Sequence, residues 1–342
     1  MAYIDIIKRI KKGSLSPVYL LSGSEQYLIE DTIHQLIDHT LAEGEQEFNL
    51  TKYDMKEYPI EVAIEDAYTF PFMGGKRVVI INDAYFFSTV KESTKIEHDL
   101  KKLENYLEKP AQETVFIIHA PYEKLDERKK IVKLAKKSGE YLDGSPLTEQ
   151  ELKRWIEERG KESNIQLQDD ATESLLMLTG GNLMLLSSEL KKIFVFVGEN
   201  GVVTSEVVES LVPRSLEQNV FTLVDGVVKQ DINKAWKIYL DLLKQKEEPI
   251  KIISLMVRQF RILYQVKQMT QEGYAQKQIA AQLKLHPYVV KLAMGQTRNF
   301  QDEELLLLLD QLATMDYEIK TGKIDKNLAV ELFFSKRSKA NV

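Results

Sequence analysis

The sequence contains no cysteine among its 342 residues. A chain without cysteine has no disulfide framework, no thiolate nucleophile and no zinc site of the finger or ribbon type. Long apolar runs are also missing, because the longest, 193–197 and 305–309, fall far below the ~20 residues that span a bilayer. The first ten residues carry an acid, Asp5, and helical apolar spacing, which is not the pattern of a signal peptide. We therefore expect a cytoplasmic protein that makes no membrane contact.

An excess of positive charge is the next feature that the sequence lacks. Forty-six lysines and arginines stand against 52 aspartates and glutamates, giving a net charge of −6. The molecule as a whole is therefore not a general polyanion binder, and any contact with nucleic acid must be local. Hydrophobic residues make up 44% of the chain and charged residues 29%, which is typical of a folded globular protein. At ~150 residues per domain, the length predicts two to three domains.

The first part of the chain alternates apolar β-rich runs with amphipathic stretches. Three runs, 18–21, 78–81 and 115–118, are continuous enough to be strands that are buried on both faces. The stretch 27–41 between the first two has close to helical apolar spacing. This alternation predicts a parallel sheet covered by helices.

Beyond residue 144 the pattern becomes helical. Turn-forming residues at 143–146 mark a boundary, and Thr148 with Glu151 matches the capping box of a helix start. Further helices are predicted over 169–178 and from 182 toward 196, and a second boundary lies near Pro213. We therefore predict an α/β domain over 1–144, a small helical domain over 145–212 and an all-α domain over 213–342.

The turn after the first strand is placed where a phosphate-binding loop would lie. Such a loop requires a second glycine, a lysine and a hydroxyl residue at fixed spacing after Gly23. Those positions hold Leu28, Ile29 and Glu30, and Glu25 would repel a polyphosphate. The sequence therefore predicts a nucleotidase-like fold without its active site, and we expect no cofactor.

Histidine chemistry has little support in this sequence. His34 and His39 are five residues apart, which does not place two ligands on one helix face, and the other histidines are scattered. No partnered nucleophile or pair of acid and base carboxylates can be identified. We expect neither a metal site nor a catalytic residue.

An apolar segment precedes the second predicted strand. A helix over 60–67 must end near Pro71, because proline is incompatible with continued helix. The loop that follows the helix carries several large apolar or aromatic side chains around that proline, and its residues are Tyr68, Thr69, Phe70, Pro71, Phe72 and Met73. Exposed rings would form a site for a partner protein, whereas buried rings would close the end of the domain core. The residues alone leave both interpretations open.

A different class of function is suggested by residues 275–294. The apolar residues there have the spacing of a helix-turn-helix, which would make the protein a DNA-binding regulator. The second helix offers mainly Lys291 for phosphates or base edges. Two packed helices of a bundle explain the pattern better.

Several segments in order along nearly the whole chain resemble the delta subunit of the bacterial DNA polymerase III clamp loader. They are VYLLSGSE from residue 18, TFPFMGGKR from 69, GGNLMLLSSELKK from 180, EEPI from 247, QFR from 259, LHPY from 285 and DYEIKTG from 316. The resemblance implies a degenerate AAA+-like α/β domain without a working ATP site, a small three-helix domain and a helical collar domain. It also implies membership of a ring of five subunits.

The resemblance implies a mechanical function rather than catalysis. Delta subunits bind the ring-shaped beta sliding clamp through an apolar loop and open it for loading onto primed DNA. The matching positions here are Tyr68, Thr69, Phe70, Pro71, Phe72 and Met73. The implied partners are the clamp, the tau/gamma motor subunits, delta-prime and primed DNA within the complex, in the cytoplasm at the replisome. Nucleotidyl transfer would belong to the polymerase assembly.

Overall fold

A computed structural model describes residues 2–72, 75–90, 96–298 and 300–339. The chain forms two compact units, Met1–Pro146 and Leu147–Val342. Within the described ranges, every helix is too short or too polar to cross a membrane.

The first unit contains a five-stranded parallel sheet in the order β2-β3-β4-β1-β5. Its elements in chain order are α1 (Ala2–Lys11), β1 (Val18–Ser22), α2 (Gln26–Thr40), α3 (Gln46–Asn49), β2 (Leu50–Asp54), α4 (Ile60–Ala67), β3 (Arg77–Asn82), a 3₁₀ turn (Tyr85–Phe87), α5 (Leu100–Glu108), β4 (Thr114–Ala120), α6 (Lys130–Ser138) and β5 (Glu140–Asp143).

The three strands predicted from the sequence are the central ones of this sheet. β1, β3 and β4 are almost wholly buried, which explains their continuous apolar runs. In the register, Phe116 of β4 is paired with Val18 of β1 on one side and with Val79 of β3 on the other. The predicted helix over 27–41 is confirmed as α2.

The two remaining strands, β2 and β5, lie at the edges of the sheet and are half-exposed. They carry polar residues such as Lys52 and Glu140, so neither produces an apolar run. Since all five strands are parallel, their amino ends share one edge of the sheet and their carboxyl ends share the other. These two edges carry the features of interest.

The second unit is almost entirely helical. Its elements are α7 (Glu149–Glu162), β6 (Gln166–Leu167), α8 (Asp169–Thr179), α9 (Leu183–Val197), β7 (Val202–Val203), α10 (Ser205–Leu211), α11 (Leu216–Val228), α12 (Ile232–Lys244), α13 (Pro249–Gln271), α14 (Gln276–Leu283), α15 (Pro287–Thr297), α16 (Asp302–Lys320) and α17 (Lys326–Lys339). β6 and β7 pair with each other over two residues.

The helix boundaries of this unit follow the capping signals in the sequence. The predicted capping box is confirmed at α7, where the Thr148 N–H donates to Glu151 Oε2 over 2.9 Å and the Glu151 N–H donates to Thr148 Oγ1. α8 ends at Gly180, whose φ of 62° suits glycine. Asn182 caps α9 by accepting the Leu185 N–H. From α11 onward, one hydrophobic cluster joins the helices.

Candidate functional site

The apolar segment follows α4 and leads to the amino end of β3. Ala67 is the last helical residue, and the Tyr68 N–H closes the helix by donating to the Ile64 carbonyl. The buried hydroxyl of Thr114, at the start of β4, donates to the Ala67 carbonyl over 2.7 Å. The helix ends at Ala67, as the sequence predicts, and its end is anchored to the sheet.

Both phenylalanine rings of this segment lie in solvent. Phe70 is 81% exposed and Phe72 is 57% exposed, while Pro71 between them is partly buried. Tyr68 and Thr69 are exposed as well. The structure therefore has the exposed arrangement, and the rings do not close the core of their own domain. Met73, also predicted for the site, lies outside the described residues.

The side chain of Tyr68 is exposed, but its ring contacts the domain core. Its ring meets the buried ring of Tyr106 on α5 in an edge-to-face arrangement, with 5.1 Å between the centroids. Burial is the main cause that raises the pKa of the Tyr106 hydroxyl, and the nearby Tyr68 raises it further. Tyr68 therefore connects the loop to the core and defines one side of the exposed segment.

A second chain segment supports Phe72. Asn49, the buried last residue of α3, donates from Nδ2 to the Phe72 carbonyl over 2.8 Å and accepts the Phe72 N–H at Oδ1 over 2.7 Å. The exposed ring of Phe48 lies 5.4 Å from the Phe72 ring. Neither Phe48 nor Asn49 stands out in the sequence as a site residue. Their only local signal is that an aromatic residue and an asparagine stand directly before β2. That strand has no continuous apolar run and is not predicted either.

An ion pair joins the two ends of the apolar segment. The Arg77 guanidinium, at the start of β3, pairs with Asp66 in the last turn of α4, and both side chains are largely buried. Burial, together with the Asp66 carboxylate, raises the pKa of the neighbouring Tyr53 hydroxyl to about 12. Arg77 also approaches the Phe48 carbonyl at 3.5 Å. The loop is thus held on both sides by the amino edge of the sheet.

The carboxyl edge of the sheet holds the segment that resembles a phosphate loop. The Gly23 N–H donates to the Tyr122 carbonyl over 3.1 Å, and the Glu25 N–H donates to the Gly144 carbonyl over 2.7 Å. A Cβ at Gly23 would lie 2.3 Å from the Gly144 carbonyl. Leu28 and Ile29 are fully buried in α2. The Gly23 and Glu25 amides thus donate to protein carbonyls, and Leu28 and Ile29 stand where a phosphate loop has its second glycine and its lysine.

The histidines do not form a cluster. His119 lies at the carboxyl end of β4, with its Nδ1 3.3 Å from Asn82 Oδ1. Burial lowers the pKa of its imidazole. In the part of the chain that the structure describes, no group of three or more acidic or histidine side chains is arranged to hold a metal ion.

Comparison with known proteins identifies the family. A model described as DNA polymerase III, delta subunit, matches residues 19–144, one for the C-terminal domain of the delta subunit matches 217–337, and a middle-domain model matches 148–210. The DNA polymerase III subunit delta of Bacillus subtilis is 44% identical over 98% of this chain and 97% of its own length. The chain belongs to the DNA polymerase III delta subunit family.

Two further relatives agree with this assignment. The solved structure of the Bacillus subtilis DNA clamp loader delta protein matches with a TM-score of 0.84 over 98% of this chain and 99% of that chain. A probable DNA polymerase III subunit delta of Aquifex aeolicus is 28% identical over 75% of this chain and 72% of its own length. The predicted fold class is confirmed as an α/β domain with a parallel sheet followed by helical domains, and the clamp-loader role is confirmed as well.

The helices that suggested a DNA-binding regulator belong to the helical core of this delta subunit. Ile279 of α14 and Val290 of α15 are buried in the cluster that α11 to α17 share. Lys291, the main cation of the second helix, pairs with Glu149. The structure therefore agrees with the bundle interpretation of residues 275–294.

Proposed function

We propose that this delta subunit binds the beta sliding clamp through the loop formed by Tyr68, Thr69, Phe70, Pro71 and Phe72, continued by Met73, and destabilises one interface of the clamp ring. The opened ring is then loaded onto primed DNA. The observation that carries the proposal is the exposure of two phenylalanine rings on a loop whose ends are anchored. Large apolar side chains presented in this way are typical of the central contacts of protein interfaces.

The energy available from this loop matches the task. Phe70 and Phe72 are already partly covered, so completing their burial stabilises a complex by roughly 2–4 kcal/mol. A free energy of that size shifts a two-state equilibrium by roughly one and a half to three orders of magnitude, at about 1.4 kcal/mol for each factor of ten. An open clamp that exposes a better apolar pocket than the closed clamp would therefore become the favoured state.

The remaining functions of the complex belong to other subunits. We assign ATP hydrolysis to the tau/gamma motor subunits, because the Gly23 and Glu25 amides of this chain already bind protein carbonyls. The assembly is a ring of five subunits, which include delta-prime. It acts in the cytoplasm at the replisome and contacts primed DNA. Within this chain, we assign clamp binding to the domain 1–144. Residues 145–212 form a small lid-like domain, and residues 213–342 form the collar domain. Nucleotidyl transfer is a property of the polymerase assembly.

The test is a double variant, Phe70→Ala with Phe72→Ala, mixed with the purified clamp and analysed by size-exclusion chromatography. We expect the wild-type chain to co-elute with the clamp and the double variant to elute separately, with an unchanged circular dichroism spectrum. Phe196→Ala is the matched control, because Phe196 is 63% exposed but lies on α9 in the second unit. A folded double variant that keeps wild-type affinity would falsify the proposal.

A further inference from the structure

We infer that the clamp-binding surface is built from two chain segments: Phe48 supplies a further ring that contacts the clamp, and Asn49 is a positioning residue that fixes Phe72. The inference rests on the proposed function, because it assigns roles at the same site. It adds α3, whose last residue, Asn49, lies 23 residues before Phe72 in the chain.

The side chain of Asn49 binds both backbone groups of one residue. Its amide donates to the Phe72 carbonyl and accepts the Phe72 N–H, as a neighbouring strand would do. Asparagine has the donor and the acceptor that this pairing needs on one short, planar group. Asn49 is itself fully buried, and β2 begins at the next residue. The backbone of Phe72 is therefore fixed to the sheet while its ring remains in solvent.

Fixing the backbone prepares the ring for binding. A loop that is already ordered loses less conformational entropy when a partner binds, so more of the contact energy contributes to affinity. Thr69, by comparison, makes hydrogen bonds within its own turn, to the carbonyls of Glu65 and Asp66. Asn49 thus orders the part of the loop that local hydrogen bonds do not reach.

Phe48 is close enough to Phe72 to share its partner. The ring centroids lie 5.4 Å apart at an interplanar angle of 50°, and the Phe48 ring is 55% exposed. A clamp surface that excludes water from the Phe72 ring must also cover the adjoining face of Phe48, because the gap between the rings does not accommodate a separate layer of solvent.

The experiment measures the affinity of the full chain for immobilised sliding clamp by biolayer interferometry. We expect Phe48→Ala to weaken binding about 3- to 10-fold, as for an exposed ring near the centre of an interface. Asn49→Asp keeps the acceptor for the Phe72 N–H and replaces the donor by an oxygen, so we expect about a 3- to 5-fold loss. In a Phe72→Ala background the same Asn49→Asp change should alter affinity less than about 2-fold, and Phe196→Ala should have no effect.

A measurement on the free wild-type chain tests the positioning role without any variant. The Phe72 amide should exchange its proton at least about ten times more slowly than an unstructured peptide, as followed by NMR. An unprotected Phe72 amide would overturn the role of Asn49, and so would an equal Asn49→Asp loss with or without the Phe72 ring.

The outcomes separate this inference from the proposed function. If the Phe70 and Phe72 double variant loses the clamp while Phe48→Ala and Asn49→Asp bind as wild type, the inference alone is wrong. If the wild-type chain does not bind the clamp, or the double variant binds normally, both are wrong. Phe48 is exposed, so Phe48→Ala remains informative even if an Asn49 variant does not fold.

Discussion

Phe70→Ala should weaken clamp binding more than Phe72→Ala, because more of the Phe70 ring remains to be buried. Complete burial of a phenylalanine side chain contributes about 1.5–3 kcal/mol. Scaled by the exposed fractions of 81% for Phe70 and 57% for Phe72, the losses are about 1.2–2.4 and 0.9–1.7 kcal/mol. These values correspond to about 8- to 60-fold and 4- to 20-fold losses in affinity.

The loss of folding stability should be larger for Phe72→Ala than for Phe70→Ala, which is the opposite of the order for affinity. Phe70 has no ring contact among the described residues, so Phe70→Ala should change the free energy of unfolding by less than about 0.5 kcal/mol. Phe72→Ala removes the contact with Phe48 and should destabilise the protein by about 0.5–1.5 kcal/mol.

The two variants should therefore be compared in two assays, clamp affinity by biolayer interferometry and unfolding in urea. We expect Phe70→Ala to cause the larger loss of affinity and the smaller loss of stability. If Phe72→Ala had the larger effect on affinity by a factor of ten or more, exposed area would not determine the contribution of each ring. The Phe72 side chain would then be the one that enters the main clamp pocket.

Two further predictions concern the stability of the fold. Gly23→Ala should destabilise the chain by about 3 kcal/mol or more, because φ is 122° and the added Cβ would meet the Gly144 carbonyl at 2.3 Å. Gly13→Ala, at a φ of 73° in open space, should cost only about 1 kcal/mol, and equal losses in urea would contradict this reasoning. Burial lowers the pKa of His98, His119 and His286, so the unfolded chain binds more protons just below its ordinary histidine pKa of 6.5. The free energy of unfolding should therefore be greatest above that pH and fall as the pH drops from about 7.5 toward 5.5. Urea titrations in which the free energy of unfolding stays constant or increases as the pH drops would show that these histidines are not buried as neutral groups.

Much of the fold could be predicted from the sequence because its main signals are local. Continuous apolar runs identify the central strands, and the Thr148–Glu151 capping box identifies the start of α7. The edge strands β2 and β5 could not be predicted, because they are half-exposed and carry polar residues that interrupt any apolar run. The strand order follows from packing between distant segments, which no local pattern specifies.

The candidate site also has features that could be predicted from the sequence and features that could not. The loop around Pro71 could be predicted because a helix must end before proline and large apolar residues follow at once. Whether those rings were exposed could not be predicted, since exposure depends on which helices cover the edge of the sheet. Phe48 and Asn49 could not be found either, because their relation to Phe72 exists only after β2 has paired with β3.

The positions of the two edges bear on how clamp binding is controlled. Ligands of parallel α/β sheets usually bind at the carboxyl ends of the strands. In this chain the Gly23 and Glu25 amides at that edge bind protein carbonyls, and the exposed rings lie at the amino edge instead. Asn49 already fixes the Phe72 backbone in the free chain, so the loop has no need of a nucleotide to take its shape. On the proposed function, ATP bound by the motor subunits therefore regulates access of the clamp to a surface that is permanently formed.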